Sequence, residues 1–282
     1  MQDEVTTETE TAATATATAT SAPTTGEIGT LIAGRYRLVR ELGRGGFAVT
    51  WQAEDLTTHA AVAVKILSLR AVDHWKAVEL FEREARVLKN LDHPQIPKYL
   101  DFIAPSEGSD MFVLVQALAP GKSLADLVKG GWRPTESEAR ELADQVLAIL
   151  EHLHGRSPPV VHRDIKPANL VRGPDGRISL IDFGSVRDRL ASTSEHASTA
   201  GTFGYMAPEQ LTGRATPASD LYGLGATLLN VLSHRQPGDL PQRELRIDFS
   251  GAISVSRGFE RFLGRLLAPA PEQRFASAQA AR

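Results

Sequence analysis

The hydrophobic period of this chain changes along its length, from about two to about four, and that change bounds the folds open to it. Tyr36-Arg37-Leu38-Val39-Arg40-Glu41-Leu42 reads as a half-buried strand. Val49–Ala53 and Ala60–Leu67 repeat the pattern with turns between them, as consecutive antiparallel strands do. From His74 to Leu91 the apolar residues Val78, Phe81, Ala85 and Leu88 fall at helical spacing, and two more strands are expected around Lys98–Phe102 and Met111–Leu118. After Pro120-Gly121 the pattern turns helical. Thr135-Glu136-Ser137-Glu138 carries the hydroxyl and the glutamate of an N-terminal cap, ahead of a helix reaching His154. Short strands are expected beside Asp164 and Asp182, and helices should dominate from Pro217 onward. Strands first and helices later describe an α+β chain in two lobes.

A different texture precedes these elements. Residues 1–27 alternate Thr and Ala (Thr14-Ala15-Thr16-Ala17-Thr18-Ala19-Thr20) with scattered acids. Too little there is apolar to offset the entropy of ordering a backbone. Residues 1–34 are therefore expected to form a disordered acidic tail and residues 35–282 the folded domain. The tail's threonines are open to self-phosphorylation, or the tail is an inert solubilising one. It holds Asp3, Glu4, Glu8, Glu10 and Glu27 and no Lys or Arg, so of the formal net charge of −3 the tail accounts for −5 and leaves +2 on the remainder. A nearly neutral domain gives no signal for nucleic acid or membrane. Cysteine is absent, which excludes disulfides, thiolate metal sites and thiol nucleophiles. That composition suits a reducing cytosol, and a cytoplasmic location is expected. No stretch approaches the ~18 apolar residues of a spanning helix. The nearest, Leu221 to Leu232, is interrupted by Gly223, Gly225 and Asn230, and the acidic start does not read as a signal peptide. His93, His152, His154 and His196 show no metal-ligand spacing, and Trp51, Trp75 and Trp132 read as packing residues.

Five strings carry chemistry. Leu42-Gly43-Arg44-Gly45-Gly46-Phe47-Ala48-Val49-Thr50 sits between two strands, and its glycines let backbone approach phosphate oxygens with no side chain in the way. Val62-Ala63-Val64-Lys65 ends an apolar strand on a lysine. On the next helix, Glu84 shares an apolar face with Phe81, Leu88 and Leu91, and a carboxylate on such a face needs a cationic partner. Lys65 is the candidate, with Glu82 as the solvated control. Val161-His162-Arg163-Asp164-Ile165-Lys166-Pro167-Ala168-Asn169-Leu170 is the most specific string, and a plain Asp/Asn turn does not account for its ten residues. Ile181-Asp182-Phe183-Gly184 follows thirteen residues after Asn169, with a Pro174-Asp175-Gly176 hairpin between. Gly201-Thr202-Phe203-Gly204-Tyr205-Met206-Ala207-Pro208-Glu209 is the fifth.

In this order the five strings resemble the eukaryotic-like (Hanks-type) serine/threonine protein kinases, in their bacterial form, over about Tyr36 to Phe275. The resemblance implies a bilobal protein-kinase fold: an N-lobe of antiparallel sheet plus one helix (35–118) and a mainly helical C-lobe (119–282). It implies phosphoryl transfer from ATP with Mg2+, or Mn2+ in its place, to Ser/Thr hydroxyls of protein substrates. Carried over residue by residue, it makes Asp164 the group that accepts or orients the hydroxyl proton, Lys166 a contact to the γ-phosphate, and Lys65 the holder of the α- and β-phosphates, paired with Glu84. Asn169 and Asp182 become the metal ligands. ATP is expected against Leu42, Gly43, Arg44, Gly45, Gly46, Phe47, Ala48, Val49, Thr50, Ala63 and Val171. Its adenine is expected under Gln116-Ala117-Leu118, read by backbone groups. Ala48 departs from the family's third glycine and Thr50 from its valine. Glu209, Asp220 and Arg274 are implied as scaffold, with Glu209 paired to Arg274 and Asp220 tethering the catalytic loop. Arg163 is placed to receive a phosphate from the activation segment, with Ser198 or Thr199 as the activating site.

Two other readings fit parts of this pattern. A pseudokinase acting as a scaffold would be expected to have lost Lys65, Asp164, Asn169 or Asp182, and all four are present. A small-molecule phosphotransferase of related fold keeps a similar catalytic loop but generally lacks the Ala207-Pro208-Glu209 segment with its Gly-Thr lead-in. Oligomeric state has no signature in the sequence.

Overall fold

The computed structural model describes residues 26–45, 48–69, 75–106, 109–184 and 204–282. In the first part, six strands form one antiparallel sheet: β1 (Leu31–Ile32), β2 (Tyr36–Arg44), β3 (Ala48–Asp55), β4 (Ala61–Ser68), β5 (Tyr99–Ile103) and β6 (Met111–Ala117), in the order β1-β2-β3-β4-β6-β5. β4 is central, and its sequence shows why: Ala-Val-Ala-Val-Lys-Ile-Leu is apolar on both faces except at Lys65. The alternation of a strand sends Val62, Val64 and Ile66 to one face and Ala63, Lys65 and Leu67 to the other. The outer face packs Ile32, Tyr36, Leu38, Val49, Trp51, Ala53, Val113 and Val115 around the first set. Against the inner face lies α1 (Trp75–Lys89), which buries Val78, Phe81, Ala85 and Leu88 beside Leu67, Phe112 and Leu114. Lys65 and the buried side of α1 therefore meet on one face.

The expected tail boundary at residue 34 does not hold. β1 pairs with β2, with Leu31 opposite Arg37 and Ile32 opposite Tyr36. The Gly29 amide donates to the Leu38 carbonyl at 2.8 Å, and the Leu38 amide to the Thr30 carbonyl at 2.9 Å. Ile32 is buried in the outer cluster. The edge of β2 offers unpaired backbone groups, and residues 26–34 satisfy them while covering the apolar face. Residues 1–25 lie outside the described residues.

The second part is mainly helical. A small sheet joins β7 (Lys122–Ser123), which runs straight into α2 (Leu124–Lys129), to β8 (Leu170–Arg172) and β9 (Ile178–Leu180), which follow α3 (Glu136–His154) and flank the site. The α3 start is set by a capping box: the Glu138 amide donates to the Thr135 hydroxyl at 3.3 Å, and the Thr135 amide donates to the Glu138 carboxylate at 2.8 Å. α4 (Pro217–Ser233) is buried without interruption from Ser219 to Val231 and forms the centre of this half, with α5 (Arg257–Leu266) and α6 (Ala278–Ala281) around it. Helices dominate from Pro217 onward, as expected. One short hairpin interrupts them: β10 (Gln242–Arg243) and β11 (Arg246–Ile247), turned by Glu244 and Leu245 at φ of 50° and 63°. Both turn residues adopt the left-handed conformation that Asn and Gly usually supply, so composition hid the turn. Trp75 is not a packing residue. It is 79% exposed at the first position of α1, whereas Trp51 is buried and Trp132 packs against the core, with the Arg172 guanidinium over its ring. No helix among the described residues is long and apolar enough to cross a membrane.

Candidate active site

The Lys65 ammonium reaches both Glu84 oxygens, at 2.9 and 2.8 Å, and Asp182 Oδ1 at 2.7 Å. Glu84 is 1% exposed, which bears out the reading of a carboxylate on the buried face of α1. Burial works against the Lys65 charge, but Asp182 and Glu84 more than offset it and raise its pKa. The same ammonium holds Asp182 down at about 2, against the effect of burial. Glu84 moves the other way: burial raises it more than Lys65 lowers it. One ammonium thus serves two carboxylates. Asp182 has φ 63°, a conformation Asp tolerates better than most residues. Next to it, Phe183 is buried edge-on against the His162 ring, with centroids 4.9 Å apart. Gly184 leaves the space that the ion pair occupies: a Cβ there would stand 3.2 Å from Glu84 Oε2 and 3.5 Å from Lys65 Nζ.

The catalytic string has almost no regular structure of its own and is held by side chains. The Asp220 carboxylate, on α4, accepts from the His162 amide at 2.9 Å and from the Arg163 amide at 2.7 Å, and it lies 2.9 Å from His154 Nε2. Arg163 sits at φ 70°, a strain persisting only where such contacts fix it. Within the string, Asn169 Nδ2 donates to the Asp164 carbonyl at 2.8 Å and to Asp164 Oδ2 at 3.0 Å. Lys166 Nζ lies 2.7 Å from the same Oδ2. The Ile181 amide donates to the Asn169 carbonyl at 2.9 Å. Lys65 and Asp182 on one side, and Asn169, Asp164 and Lys166 on the other, are thus joined through the Ile181 backbone into one site.

Glu209 and Arg274 form the expected pair. The buried guanidinium donates to Glu209 Oε1 at 2.6 Å and Oε2 at 2.9 Å, and to the carbonyls of Ala268, Ala218 and Pro269 at 2.7, 2.8 and 2.8 Å. Burial raises the Glu209 pKa, but Arg274 and the Ser219 hydroxyl outweigh it and the pKa is lowered.

Other expected residues are placed as follows. Leu42, Gly43 and Arg44 end β2, Ala48 and Thr50 lie on β3, and the Gly45 amide closes the turn onto the Ala48 carbonyl at 2.8 Å. Thr50 is paired with Lys65, so it shares that face. Val49 does not: its side chain belongs to the outer cluster, a consequence of strand alternation that its place in the motif concealed. Ala63, Gln116 and Val171 are buried. The Ala117 amide donates to the Lys98 carbonyl at 2.8 Å, so a base would be read by neighbouring backbone groups. Gly46, Phe47, Ser198, Thr199, Gly201, Thr202 and Phe203 lie outside the described residues.

Three participants escaped the sequence reading. His154 supports Asp220, Gln210 Nε2 donates to the Arg163 carbonyl at 2.9 Å, and Gly223 lets α4 touch the loop, since a Cβ there would meet the Ile165 carbonyl oxygen at 2.9 Å. Only the paired glycines inside a helix, Gly223 and Gly225, were a visible signal.

Among the described residues no group of three or more His, Cys, Asp or Glu could cage a metal ion. The Asp182 carboxylate and the Asn169 carbonyl oxygen are hard donors from only two residues. That fits a hard divalent ion shared with substrate phosphates and water, and it does not fit an all-protein site.

Comparison with known proteins agrees with this geometry. The family model described as the protein kinase domain matches residues 36–282. Serine/threonine-protein kinase C of Synechocystis sp. is 37% identical over 272 residues, covering 89% of this chain and 49% of that protein. Kinase B of the same organism is 35% identical over 264 residues, covering 87% and 45%. PrkC of Bacillus subtilis is 34% identical over 214 residues, covering 75% and 32%. The chain thus spans less than half the length of each of these three relatives. With the matched model running from the first residue of β2 to the last residue of the chain, this protein belongs to the protein kinase domain family.

Proposed function

We propose that this chain transfers the γ-phosphate of ATP to serine and threonine hydroxyls of proteins. The observation that carries the reading is two side-chain clusters, Lys65–Glu84–Asp182 and Asn169–Asp164–Lys166, tied by the Ile181 amide next to Asp182 donating to the Asn169 backbone carbonyl. Lys65, steadied by Glu84, holds the α- and β-phosphates. Asp182 and Asn169 hold the divalent ion, Mg2+ or Mn2+, which when bound neutralises charge on the phosphate oxygens. Asp164 accepts or orients the proton of the attacking hydroxyl, and Lys166 meets the negative charge of the transferring group. The glycine-rich hairpin covers the phosphates. The adenine lies beside the backbone of Gln116 and Leu118, with Ala63 and Val171 on its two sides.

Control belongs to the same reading. Arg163 receives a phosphate on Ser198 or Thr199, and alanine at both positions lowers activity. A cytoplasmic location is part of the same reading, since the cysteine-free composition suits a reducing compartment. Radiolabel transfer from ATP tests the whole, comparing wild type with Asp164→Asn on a generic protein substrate and on small alcohols. Loss of the general base is expected to lower the rate about 10²- to 10⁴-fold. Equal signals from the two chains would leave a scaffold, and label on the alcohols alone would leave a small-molecule phosphotransferase.

A further inference from the structure

We propose that Gln210 is a positioning residue for the transfer step: its carboxamide ties the segment that meets the protein substrate to the peptide plane ahead of Asp164. The inference rests on the proposed kinase activity and adds to it a residue that lies in none of the five sequence strings.

Asp164 can act on a hydroxyl only while the backbone that carries it is fixed. Four consecutive peptide planes around it are each gripped by a side chain. Asp220 accepts from the His162 amide at 2.9 Å and from the Arg163 amide at 2.7 Å. Asn169 Nδ2 donates to the Asp164 carbonyl at 2.8 Å. The plane between these joins Arg163 to Asp164, and Gln210 Nε2 holds it by donating to the Arg163 carbonyl at 2.9 Å. At the other end of this plane the Asp164 amide reaches His162 Nδ1 only at 3.4 Å. Arg163 sits at φ 70°, so the plane that Gln210 holds follows a strained residue, whose conformation persists only where its surroundings fix it.

The other end of the Gln210 carboxamide faces the substrate side. Its Oε1 accepts from the Ala207 amide at 3.1 Å, and the Gln210 backbone amide donates to the Ala207 carbonyl at 2.9 Å. Gln210 and Ala207 are both buried. The helical turn Pro208–Thr212 begins here. Just before it, the Tyr205 hydroxyl donates to Gln236 Oε1 at 2.8 Å. The plainest role for Gln210 is to close this turn, as the third residue of an N-terminal cap does. Either Glu or Gln serves there, because the cap needs only an acceptor. The bond to Arg163 needs a donor as well, and the carboxamide has both. Asp220 grips from α4 and Asn169 from within the catalytic string, whereas Gln210 grips from the Ala207-Pro208-Glu209 segment. Displacement of that segment is therefore felt at the plane leading to Asp164.

The test compares full-length wild type, Gln210→Glu and Gln210→Met in single-turnover transfer from Mg-ATP to a generic protein. Rates are normalised to the ATP bound per chain, so an unfolded fraction does not count. Gln210→Glu keeps the acceptor for Ala207 and loses the donor for Arg163. Its rate is expected to fall about 10- to 100-fold, with the KM for protein and the Kd for ATP unchanged. Gln210→Met loses both contacts, so its KM for protein should rise as well. The introduced carboxyl is buried, shares Arg163 with the Asp220 carboxylate and follows Glu209, which is paired with Arg274. Burial and the Asp220 charge move its protonation above the usual carboxylate range. Once protonated, it donates to the Arg163 carbonyl again. The rate of Gln210→Glu relative to wild type should therefore climb about threefold or more from about pH 8 to about pH 6, while that of Gln210→Met stays flat. Should the methionine variant fail to fold, the glutamate variant's rate and pH ratio decide. Normalised rates close to wild type, or a loss in Gln210→Glu that does not change with pH, would overturn the proposal and leave the kinase reading intact. A wild type that transfers no phosphate to protein would overturn both.

Discussion

Replacing Arg274 with methionine removes the best-connected cation of the helical half. Its guanidinium has five N–H groups, and the structure gives all five a partner: two on Glu209 and three on the carbonyls of Ala268, Ala218 and Pro269. Its face also lies 5.0 Å from the Tyr222 ring centroid. Without it, the Glu209 carboxylate, with 12% of its side chain exposed, keeps only the Ser219 hydroxyl among these donors. Breaking one side of a buried pair costs about 3–5 kcal/mol, and the stranded carbonyls move the value toward the upper end. For a domain of this size that is a fall in Tm on the order of 10 °C. Denaturant melts of Arg274→Met, Glu209→Leu and the double variant measure it. The double variant should be less damaged than the sum of the singles by about 2 kcal/mol or more, because the orphaned charge is gone. A loss below about 1 kcal/mol for Arg274→Met, or strict additivity, would refute the reasoning.

Three further outcomes are expected. Glu84→Gln should lower kcat/KM for ATP about 10- to 100-fold, ~1.4–2.7 kcal/mol, because Lys65 loses one of the two carboxylates that position it. Lys65 keeps Asp182 as a partner, so steady-state kinetics at a temperature below the melt of both chains read the effect. Gly223→Ala and Gly225→Ala both crowd α4, the first against the Ile165 backbone at 2.9 Å and the second against the Leu266 and Leu267 side chains at 2.8 and 3.0 Å. Each should cost about 1–3 kcal/mol, while only Gly223→Ala lowers kcat, as steady-state kinetics would record. Stability should fall as pH drops from about 4.5 toward 2: Asp182, held at about 2 chiefly by Lys65, and Glu209, held low by Arg274, bind fewer protons folded than unfolded. Their contribution is complete above the unfolded carboxylate range and is lost on acidification, so the Arg274→Met/Glu209→Leu variant should show a shallower acid limb in pH-dependent melts.

What the sequence revealed depended on how local each signal was. The capping box of α3 lies within four residues, and structure and sequence agree on it. The Lys65–Glu84 contact is longer in range, yet a carboxylate on an apolar stripe announces a missing cation, and few candidates existed. Gln210 and His154 announced nothing, because a buried amide or imidazole reads like any polar residue until the backbone it supports is folded beside it. Residues 26–34 were misassigned for a related reason: Ile28, Leu31 and Ile32 are few, and averaging them with the threonines before them hid the two residues that pair with β2. Val49 shows the limit of motif position, since a motif fixes order along the chain and the pleat decides which face a side chain takes.

Asp220 has one more consequence. Its two oxygens clamp successive amides of the catalytic loop from α4, a helix buried without interruption from Ser219 to Val231. A loop riveted in this way cannot serve as a hinge. Relative movement falls more easily on parts seated less firmly, such as α1, whose Glu84 reaches Lys65 across an interface between two elements.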